Sequence, residues 1–401
     1  MNANDESTSQ IASRILALRG GHRDSEVDIA IGAYVWAEAL IQELLPMLRA
    51  DFSGRIVMGG PQISYKESGH EEVYPDADIF IRGYGEEALC ELVETSGRPK
   101  IRGVHNAGEV DLGEQANVDF PRLPSPWLED AISLKAQRFV RWETQRGCTH
   151  RCGFCQHREA GARLPHRSFE LDRVMKEVEL FCAAQVEEIA VLDPIFNTGK
   201  HATAIVERFV ELGFKGRLSL QCRAETIKNE FLDAVEQLDV CLEFGLQTIH
   251  QAEQTAVQRN NHMPSVERVL RDVRRRGIDH EVSIIFALPE QTLATFMETV
   301  DWCLAQQIPV IKAFPLMLLR GTPLERDRAR WGLITDTHAM PKVIASNTFT
   351  HRDWLQMASI SDALKATEGQ HPQGILSLLA RTKPRNPQIA RWQPTAVGNA
   401  I

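Results

Sequence analysis

Hydrophobic and polar positions along the chain repeat in a way that predicts an α/β fold. Short apolar runs rich in Ile, Val and Phe end in Gly, Pro or Asn, and the segments that follow carry apolar residues every three or four positions. In the first third of the chain, this strand, glycine turn and helix pattern occurs three times, starting at 27–36, 54–61 and 77–94. It predicts a Rossmann-like, doubly wound parallel sheet whose loops gather at the carboxyl edge.

A second series of strand and helix units begins at Phe139. Amphipathic segments such as 170–184 and 202–213 separate strands that are predicted at 139–144, 187–193, 216–222, 240–246, 280–288 and 309–316. Six successive units predict a partial TIM-like (β/α)6 barrel. In such barrels the chemistry collects on the loops that follow the strands.

The stretch between the two series resembles a connection, because 119–130 (DFPRLPSPWLED) carries three prolines that favour extended backbone. The sequence therefore predicts five parts: a polar N-terminal tail (1–26), a Rossmann-like domain (27–105), a linker (106–137), a barrel (138–324) and a C-terminal helical extension with a polar tail (325–401).

Composition narrows the class of protein. The 401 residues are 43% hydrophobic and 25% charged, as in globular proteins with two domains or a barrel and an appendage. No apolar run reaches the roughly 18 residues of a membrane span, and the N-terminus lacks the pattern of a secretory signal. We therefore expect a cytoplasmic protein with reduced thiols and no membrane partner. The net charge of −9 disfavours nucleic-acid binding and favours a small-molecule substrate.

The candidate chemistry lies in the decapeptide RGCTHRCGFC, which places Cys148, Cys152 and Cys155 at C-x3-C-x2-C. In a reduced protein, such spacing indicates a metal site rather than disulfides. Zinc would need a fourth ligand, for which His150 and His157 are nearest, or an open catalytic position. An iron–sulfur cluster held by three cysteines would instead leave one iron free to bind another molecule. The decapeptide alone leaves both interpretations open.

The motif resembles that of the radical S-adenosylmethionine (SAM) superfamily, in which the cysteines follow the first strand of a six-unit barrel and an aromatic residue, here Phe154, precedes the last one. Later strand ends resemble the family's SAM-binding motifs: VLDPIFN (191–197), EFGLQT (243–248), IIFALPEQT (284–292) and FPLMLLRGTPL (314–324). More closely, IGAYVW, VMGGP, RGYGEEAL and LPSPWL resemble landmarks of the branch with an N-terminal cobalamin-binding-type (B12-binding-like) domain.

This resemblance implies a role for each candidate residue. Cys148, Cys152 and Cys155 would hold a [4Fe–4S] cluster whose remaining iron binds SAM. The other implied SAM contacts are Phe154 beside the adenine, Asp193 near the methionine amino group, Arg223 and Arg259 on the carboxylate, Glu243 and Gln247 as the fourth-strand motif, and Ile285 and Leu288 against the adenine. The sequence DPIFN departs from the Gly-Gly-Glu of many relatives. An external one-electron reductant of the flavodoxin or ferredoxin type would start the reaction.

The N-terminal part differs from that branch, in which a further strand, helix and strand precede the segment matching DIAIGAYVW. We therefore expect a truncated domain, and a radical SAM enzyme that modifies a small molecule, as in natural-product biosynthesis, without cobalamin. The alternative is a cobalamin-dependent radical SAM methyltransferase in which the GAYVW, GGP and GYGE loops still bind the corrin. An alternative of another class is a zinc-stabilised binding protein.

Overall fold

The computed structural model of the chain describes residues 6–95, 97–135, 137–157, 167–338 and 340–381. Two main sheets confirm the predicted α/β class. The N-terminal sheet has the strand order β1 (Asp28–Gly32), β2 (Arg55–Gly59), β3 (Ile79–Ile81) and β4 (Val104–Asn106). The second sheet contains β5 (Phe139–Trp142), β6 (Glu188–Val191), β7 (Arg217–Cys222), β8 (Asp239–Gln247), β9 (Asp279–Phe286) and β10 (Val310–Pro315), in spatial order β10-β9-β8-β7-β6-β5.

Two smaller strand pairs complete the sheets. Gln145–Arg146 pairs with Arg167–Ser168, and β11 (Ile334–Thr335) pairs with β12 (Val343–Ala345). The α-helices of the described residues are α1 (Thr8–Ala17), α2 (Glu38–Asp51), α3 (Pro61–Ser64), α4 (His70–Val73), α5 (Glu86–Glu94), α6 (Leu171–Ala183), α7 (Ala202–Glu211), α8 (Asn229–Val235), α9 (Gln251–Ala256), α10 (Met263–Arg275), α11 (Leu293–Ala305), α12 (Pro323–Arg326), α13 (His351–Ala366) and α14 (Ile375–Leu379). Short 3-10 turns occupy Asp24–Glu26, Phe120–Arg122, Phe196–Thr198 and Ala224–Thr226.

The N-terminal sheet is mixed, which corrects the expectation of a wholly parallel one. Strands β1, β2 and β3 pair in parallel, whereas β4 pairs antiparallel with β3. Strand β4 was missed because it is only three residues long and contains His105 and Asn106, so it lacks an apolar pattern.

The polar N-terminal stretch also contains a helix, α1, which the composition concealed. A capping box starts it: the Ser7 hydroxyl accepts from the Gln10 N–H, and the Gln10 side chain accepts from the Ser7 N–H. The helix buries Ile11 and Ala12 in the same core as α2. The sequence did not predict this helix, because its few apolar residues lie among many polar ones.

The six strands of the second sheet are all parallel and form a partial barrel with a concave inner face. Burial alternates along β8: Leu242 and Phe244 belong to the buried core, whereas Glu243 and Gln247 line a cavity. The inner face of the barrel is therefore free to bind ligands at the carboxyl ends of its strands.

The C-terminal extension contains α13, as the amphipathic stretch 351–366 predicts. It buries Met357, Ile360 and Leu364 in the barrel's core cluster. The predicted polar tail after Arg381 lies outside the described residues. Within the described part of the chain, no helix is both long and apolar enough to cross a membrane.

Candidate functional site

The three cysteines lie on the loop that follows β5, and a backbone N–H or a guanidinium faces each sulfur. The N–H of His150 donates to Cys148 Sγ at 3.4 Å, and the N–H of His157 donates to Cys155 Sγ at 3.3 Å. Cys152 is buried and accepts from an Arg259 side-chain nitrogen. These donors favour negatively charged sulfur.

Burial has the opposite effect on these thiols. It raises the pKa of Cys148, and it raises the pKa of Cys155 to about 11. A bound metal deprotonates such thiols outright, so the donor set fits an iron site. Among the described residues, no three His, Cys, Asp or Glu side chains converge on one point as a single zinc ion would require. A four-iron cluster spreads its thiolates over different iron atoms, and three cysteines on one loop fit such a cluster.

Most of the predicted site residues line one cavity of about 530 Å³ inside the barrel mouth. It is bounded by the cysteine loop and by the inner face of β7 to β10. Of the candidates from the sequence, the lining contains Cys148, Cys152, Cys155, Phe154, Arg223, Glu243, Gln247, Arg259 and Ile285. The chain therefore brings together side chains from strands β8 and β9, from the cysteine loop, and from the loops that follow β7 and α9.

Asp193 does not line this cavity, contrary to its expected place beside the methionine amino group. Its carboxylate is fully buried and accepts hydrogen bonds from the Thr144 N–H at 2.8 Å, the Gln145 N–H at 3.2 Å and the Thr144 hydroxyl. Burial raises the pKa of Asp193 to about 7 despite these donors. The side chain therefore fixes the segment that leads from β5 into the cysteine loop.

Leu288 is also absent from the cavity lining. Ala287 has a φ of +69°, and this turn sends Leu288 into the barrel core, where it is fully buried. Ile285, three residues earlier on β9, remains on the cavity side. A change of direction at a positive φ cannot be read from the apolar pattern alone.

The two candidate arginines differ in how far the protein already satisfies them. Arg223 donates to Glu225 at 3.2 Å and to the Asn260 carbonyl, so a carboxylate balances its charge. Arg259 donates to the Gly245 carbonyl, but its buried Nε has no hydrogen-bond partner among the described residues. A buried donor without a partner costs free energy, which an anionic ligand in the cavity would recover.

Sequence reasoning missed a charged group deeper in the barrel. Lys312 forms an ion pair with Glu281 at 2.5 Å, and Glu243 lies beside Glu281 in the register of β8 and β9. Burial, together with the neighbouring Glu281, raises the pKa of Glu243. The sequence contains the information to predict this group, because side chains two or four positions apart on a strand share a face. Glu281 therefore lies on the same inner face of β9 as Ile285, and Lys312 on the same inner face of β10 as Phe314.

A second cavity, of about 710 Å³, lies between the N-terminal sheet and the cysteine loop. Loops at the carboxyl ends of β1, β2 and β3 form one wall, and the stretch from Glu143 to Gly147 forms part of the other. His157 and Pro194 line both cavities. The N-terminal sheet therefore presents its ligand-binding edge directly to the cysteine loop.

Glycine is required where two of these loops meet. Gly60 has a φ of +91°, and a Cβ added there would lie 2.8 Å from the Ala33 carbonyl oxygen. After β1, the rings of Tyr34 and Trp36 stack at 4.7 Å, and Trp36 is 65% exposed. The GAYVW and GGP loops thus combine close backbone approach with an aromatic pair at the cavity's edge.

Comparison with known proteins agrees with this architecture. Residues 142–303 match the family model described as the Radical SAM superfamily. The chain is 25% identical over 325 residues to the cobalamin-dependent radical SAM methyltransferase TokK of Streptomyces tokunonensis. This alignment covers 74% of this chain and 47% of TokK. It is 29% identical over 199 residues to the 2-(S-pantetheinyl)-carbapenam-3-carboxylate methyltransferase of Streptantibioticus cattleyicolor, which covers 45% of this chain and 29% of that protein. The chain thus spans about half or less of the length of these curated relatives.

Two solved structures share the fold across both domains. The radical S-adenosylmethionine methyltransferase TsrM of Kitasatospora setae, with cobalamin and a [4Fe-4S] cluster bound, has a TM-score of 0.66 at 20% identity over 84% of this chain and 70% of that chain. The cobalamin-dependent enzyme OxsB, with aqua-cobalamin bound, has a TM-score of 0.66 at 16% identity over 89% of this chain and 60% of that chain. The family match over residues 142–303 assigns the chain to the radical SAM superfamily, and the two solved structures show that it shares the fold of both of their domains.

Proposed function

We propose that the protein is a cobalamin-dependent radical SAM methyltransferase that acts on a small molecule. The observation that carries this proposal is the 710 Å³ interdomain cavity, which adjoins the cysteine-lined cavity through His157 and Pro194. From the sequence we expected an enzyme without cobalamin. The relatives named as cobalamin-dependent favour the alternative instead.

The N-terminal cavity fits a large, flat cofactor despite the short sheet. All three loops that the sequence leaves available, GAYVW, GGP and GYGE, contribute to its lining. Small and aliphatic side chains, including Ala30, Val57 and Ile81, form part of its wall. Ligands of open parallel sheets bind outside the carboxyl ends of the strands, where these loops converge.

The barrel cavity fits a cluster with SAM. Its three cysteines lie on one loop, Phe154 and Ile285 offer apolar contacts for a base, and Arg259 has an unused donor for a carboxylate. The volume of about 530 Å³ is within the range of small-molecule sites. The bound cluster would supply the electron that cleaves SAM reductively.

The chain's own residues would bind and orient SAM and the substrate. Asp193 and Thr144 fix the entry to the cysteine loop. Arg259, which donates to Cys152 Sγ, would bind the carboxylate of SAM beside that cysteine. The deeper pair of Glu281 and Lys312 faces the space left for a substrate. Cobalamin, held by the GAYVW, GGP and GYGE loops, would supply the chemistry of a methyl carrier between SAM and the substrate. The two cavities adjoin through His157 and Pro194, which would keep these partners close together.

The test begins with retention of the cofactor. The protein is reconstituted anaerobically with iron, sulfide and hydroxocobalamin, desalted, and assayed for iron and for corrin absorbance. We expect about four iron atoms and one corrin per chain. The loaded protein is then reduced and incubated with SAM, and the products S-adenosylhomocysteine and 5′-deoxyadenosine are separated by chromatography.

Each outcome separates two hypotheses. Stoichiometric corrin with release of S-adenosylhomocysteine supports the methyltransferase. Cluster formation and 5′-deoxyadenosine without retained corrin would return the protein to the class of radical SAM enzymes that work without cobalamin. About one zinc per chain and no iron would instead support a zinc-stabilised binding protein.

A further inference from the structure

Two ion pairs connect the N-terminal domain with the barrel. Arg146, just before the cysteine loop, donates to Glu86 of α5 at 2.6 Å. Arg320, in the loop after β10, lies 3.0 Å from Glu38 at the start of α2. Arg146 and Glu86 line the interdomain cavity, whereas neither Arg320 nor Glu38 contributes to the described lining of either cavity. The second pair can therefore be changed without removing a wall of either site.

On the N-terminal side, Glu38 is a hub of hydrogen bonds. Its carboxylate accepts from the Gln62 amide at 2.5 Å and from the Tyr74 hydroxyl at 2.6 Å, in addition to Arg320. Arg320 also donates to the Gln62 backbone carbonyl at 2.9 Å. Because Gln62 follows the GGP turn at Gly60, the arginine is tied to the loop that forms part of the interdomain cavity.

On the barrel side, the same loop is tied to the cysteine loop. The Arg320 carbonyl accepts from the Gln156 amide at 2.8 Å, and Gln156 directly follows the third cysteine. The Gln156 carbonyl accepts from the Tyr65 hydroxyl. Gly321 has a φ of +70°, and a Cβ there would lie 2.7 Å from the Tyr65 carbonyl oxygen. The loop after β10 thus contacts both the cysteine loop and the segment that follows the GGP turn of the N-terminal domain.

We propose that the Arg320–Glu38 pair is a positioning contact. It fixes the distance and orientation of the N-terminal cavity relative to the cysteine loop, so that methyl transfer between SAM and cobalamin can occur. This proposal rests on the proposed function. Reacting atoms must lie about 3 to 3.5 Å apart, and a misplacement of about 1 Å costs roughly 100-fold in rate. Transfer between two domains depends on this register, whereas SAM cleavage takes place within the barrel cavity alone.

The experiment compares Arg320→Gln and Glu38→Gln with the wild-type protein, each reconstituted with cluster and hydroxocobalamin. We expect the rate of S-adenosylhomocysteine release to fall at least 10-fold in both variants. The 5′-deoxyadenosine rate, iron content and retained corrin should stay within about twofold of wild type. The double variant should lose little more than either single one, because both substitutions break the same contact.

Two further variants and one physical measurement sharpen the test. Arg320→Lys keeps the charge but loses the planar fork that reaches Glu38 and Gln62 together, so partial recovery of transfer is expected. Arg138→Gln removes an ion pair with Glu187 at the far end of β5 and serves as the matched control. Hydrogen–deuterium exchange of the unloaded protein should be faster at 61–65 and 317–324 in Arg320→Gln, and unchanged in α11.

The failures are distinguishable. If the wild-type protein retains no corrin and releases no S-adenosylhomocysteine, the proposed function is overturned and this role falls with it. If wild type transfers the methyl group but the variants transfer equally well, the positioning role alone is wrong. A parallel fall of both products, or unchanged exchange at 61–65, would also overturn it, since a local structural defect and not domain register would then be responsible.

Discussion

The two cavities differ in the residues that line them. The barrel cavity is lined by side chains with specific chemistry: three thiols, two guanidiniums and a group of carboxylates around Lys312. The N-terminal cavity combines glycine turns and aliphatic side chains with polar and aromatic ones, among them three tyrosines and Arg146, and it contains no cluster of one chemical type among its described lining residues. Side chains that carry chemistry leave a motif in the sequence, whereas a site made of turns leaves only spacing. This difference explains why the sequence predicted the cluster and gave cobalamin only as the alternative.

The largest expected effect is a loss of the iron–sulfur cluster that leaves corrin binding intact. In Cys152→Ala, one of the three thiolates is missing, so iron content should fall to near zero and 5′-deoxyadenosine should become undetectable by chromatography. Corrin retention should remain within about twofold of wild type, because Cys152 does not contribute to the described lining of the interdomain cavity. Cys90→Ala, which removes an exposed cysteine outside the motif, is the control. Loss of corrin together with iron would mean that the two sites do not assemble independently.

The converse experiment targets the N-terminal cavity. In Gly60→Ala, the methyl group would meet the Ala33 carbonyl at 2.8 Å in a backbone conformation that L-residues rarely adopt. Strain of roughly 1 to 3 kcal/mol should weaken corrin binding by about 10- to 100-fold, measured by equilibrium dialysis, with iron content unchanged. Gly108→Ala has a similar positive φ but open space around the added Cβ, so it controls for backbone strain alone. Equal losses in both variants would contradict a specific role for the GGP turn.

A smaller effect is expected at Arg259. Replacing it by Gln removes the charge-assisted contact proposed for the SAM carboxylate, which is worth about 1.5 to 3 kcal/mol. The SAM concentration that half-saturates 5′-deoxyadenosine formation should therefore rise about 10-fold or more. Arg268→Gln, on the exposed side of α10, should behave like wild type. A Michaelis constant unchanged in Arg259→Gln would assign the carboxylate to Arg223 instead.

The smallest effect concerns stability and pH. The pKa of Asp193 is about 7 in the folded protein because of burial, against an ordinary value of 3.8, so the folded state holds a proton that the unfolded state has lost. Stability should fall as pH rises from about 4 to 7, and this dependence should vanish above pH 7. In Asp193→Asn, the midpoint of thermal unfolding relative to wild type should rise by about 3 °C between pH 5 and 7. The exposed Asp172→Asn should show no such drift.

Much of the architecture could be predicted because periodicity reports burial directly. The six barrel strands followed from the apolar pattern, and the helix at 351–366 lies within the predicted C-terminal helical extension. The cysteine loop and most lining residues followed from motifs at strand ends. Strand β4 was too short to leave a pattern, and Ala287 turned Leu288 inward through a positive φ that no propensity reveals. The sequence could not show that Asp193 lies outside the cavity lining, because a carboxylate after a strand looks the same whether it meets a ligand or backbone N–H groups.

The end of β6 has a thermodynamic consequence. Three consecutive residues serve both halves of the molecule: Leu192 and Pro194 line the interdomain cavity, and between them Asp193 anchors the approach to the cysteine loop. A ligand that contacts this segment in the interdomain cavity therefore binds beside the residue that anchors the cysteine loop. Linkage then makes the coupling symmetrical: if corrin occupancy tightens the affinity for SAM by some factor, SAM must tighten corrin binding by the same factor.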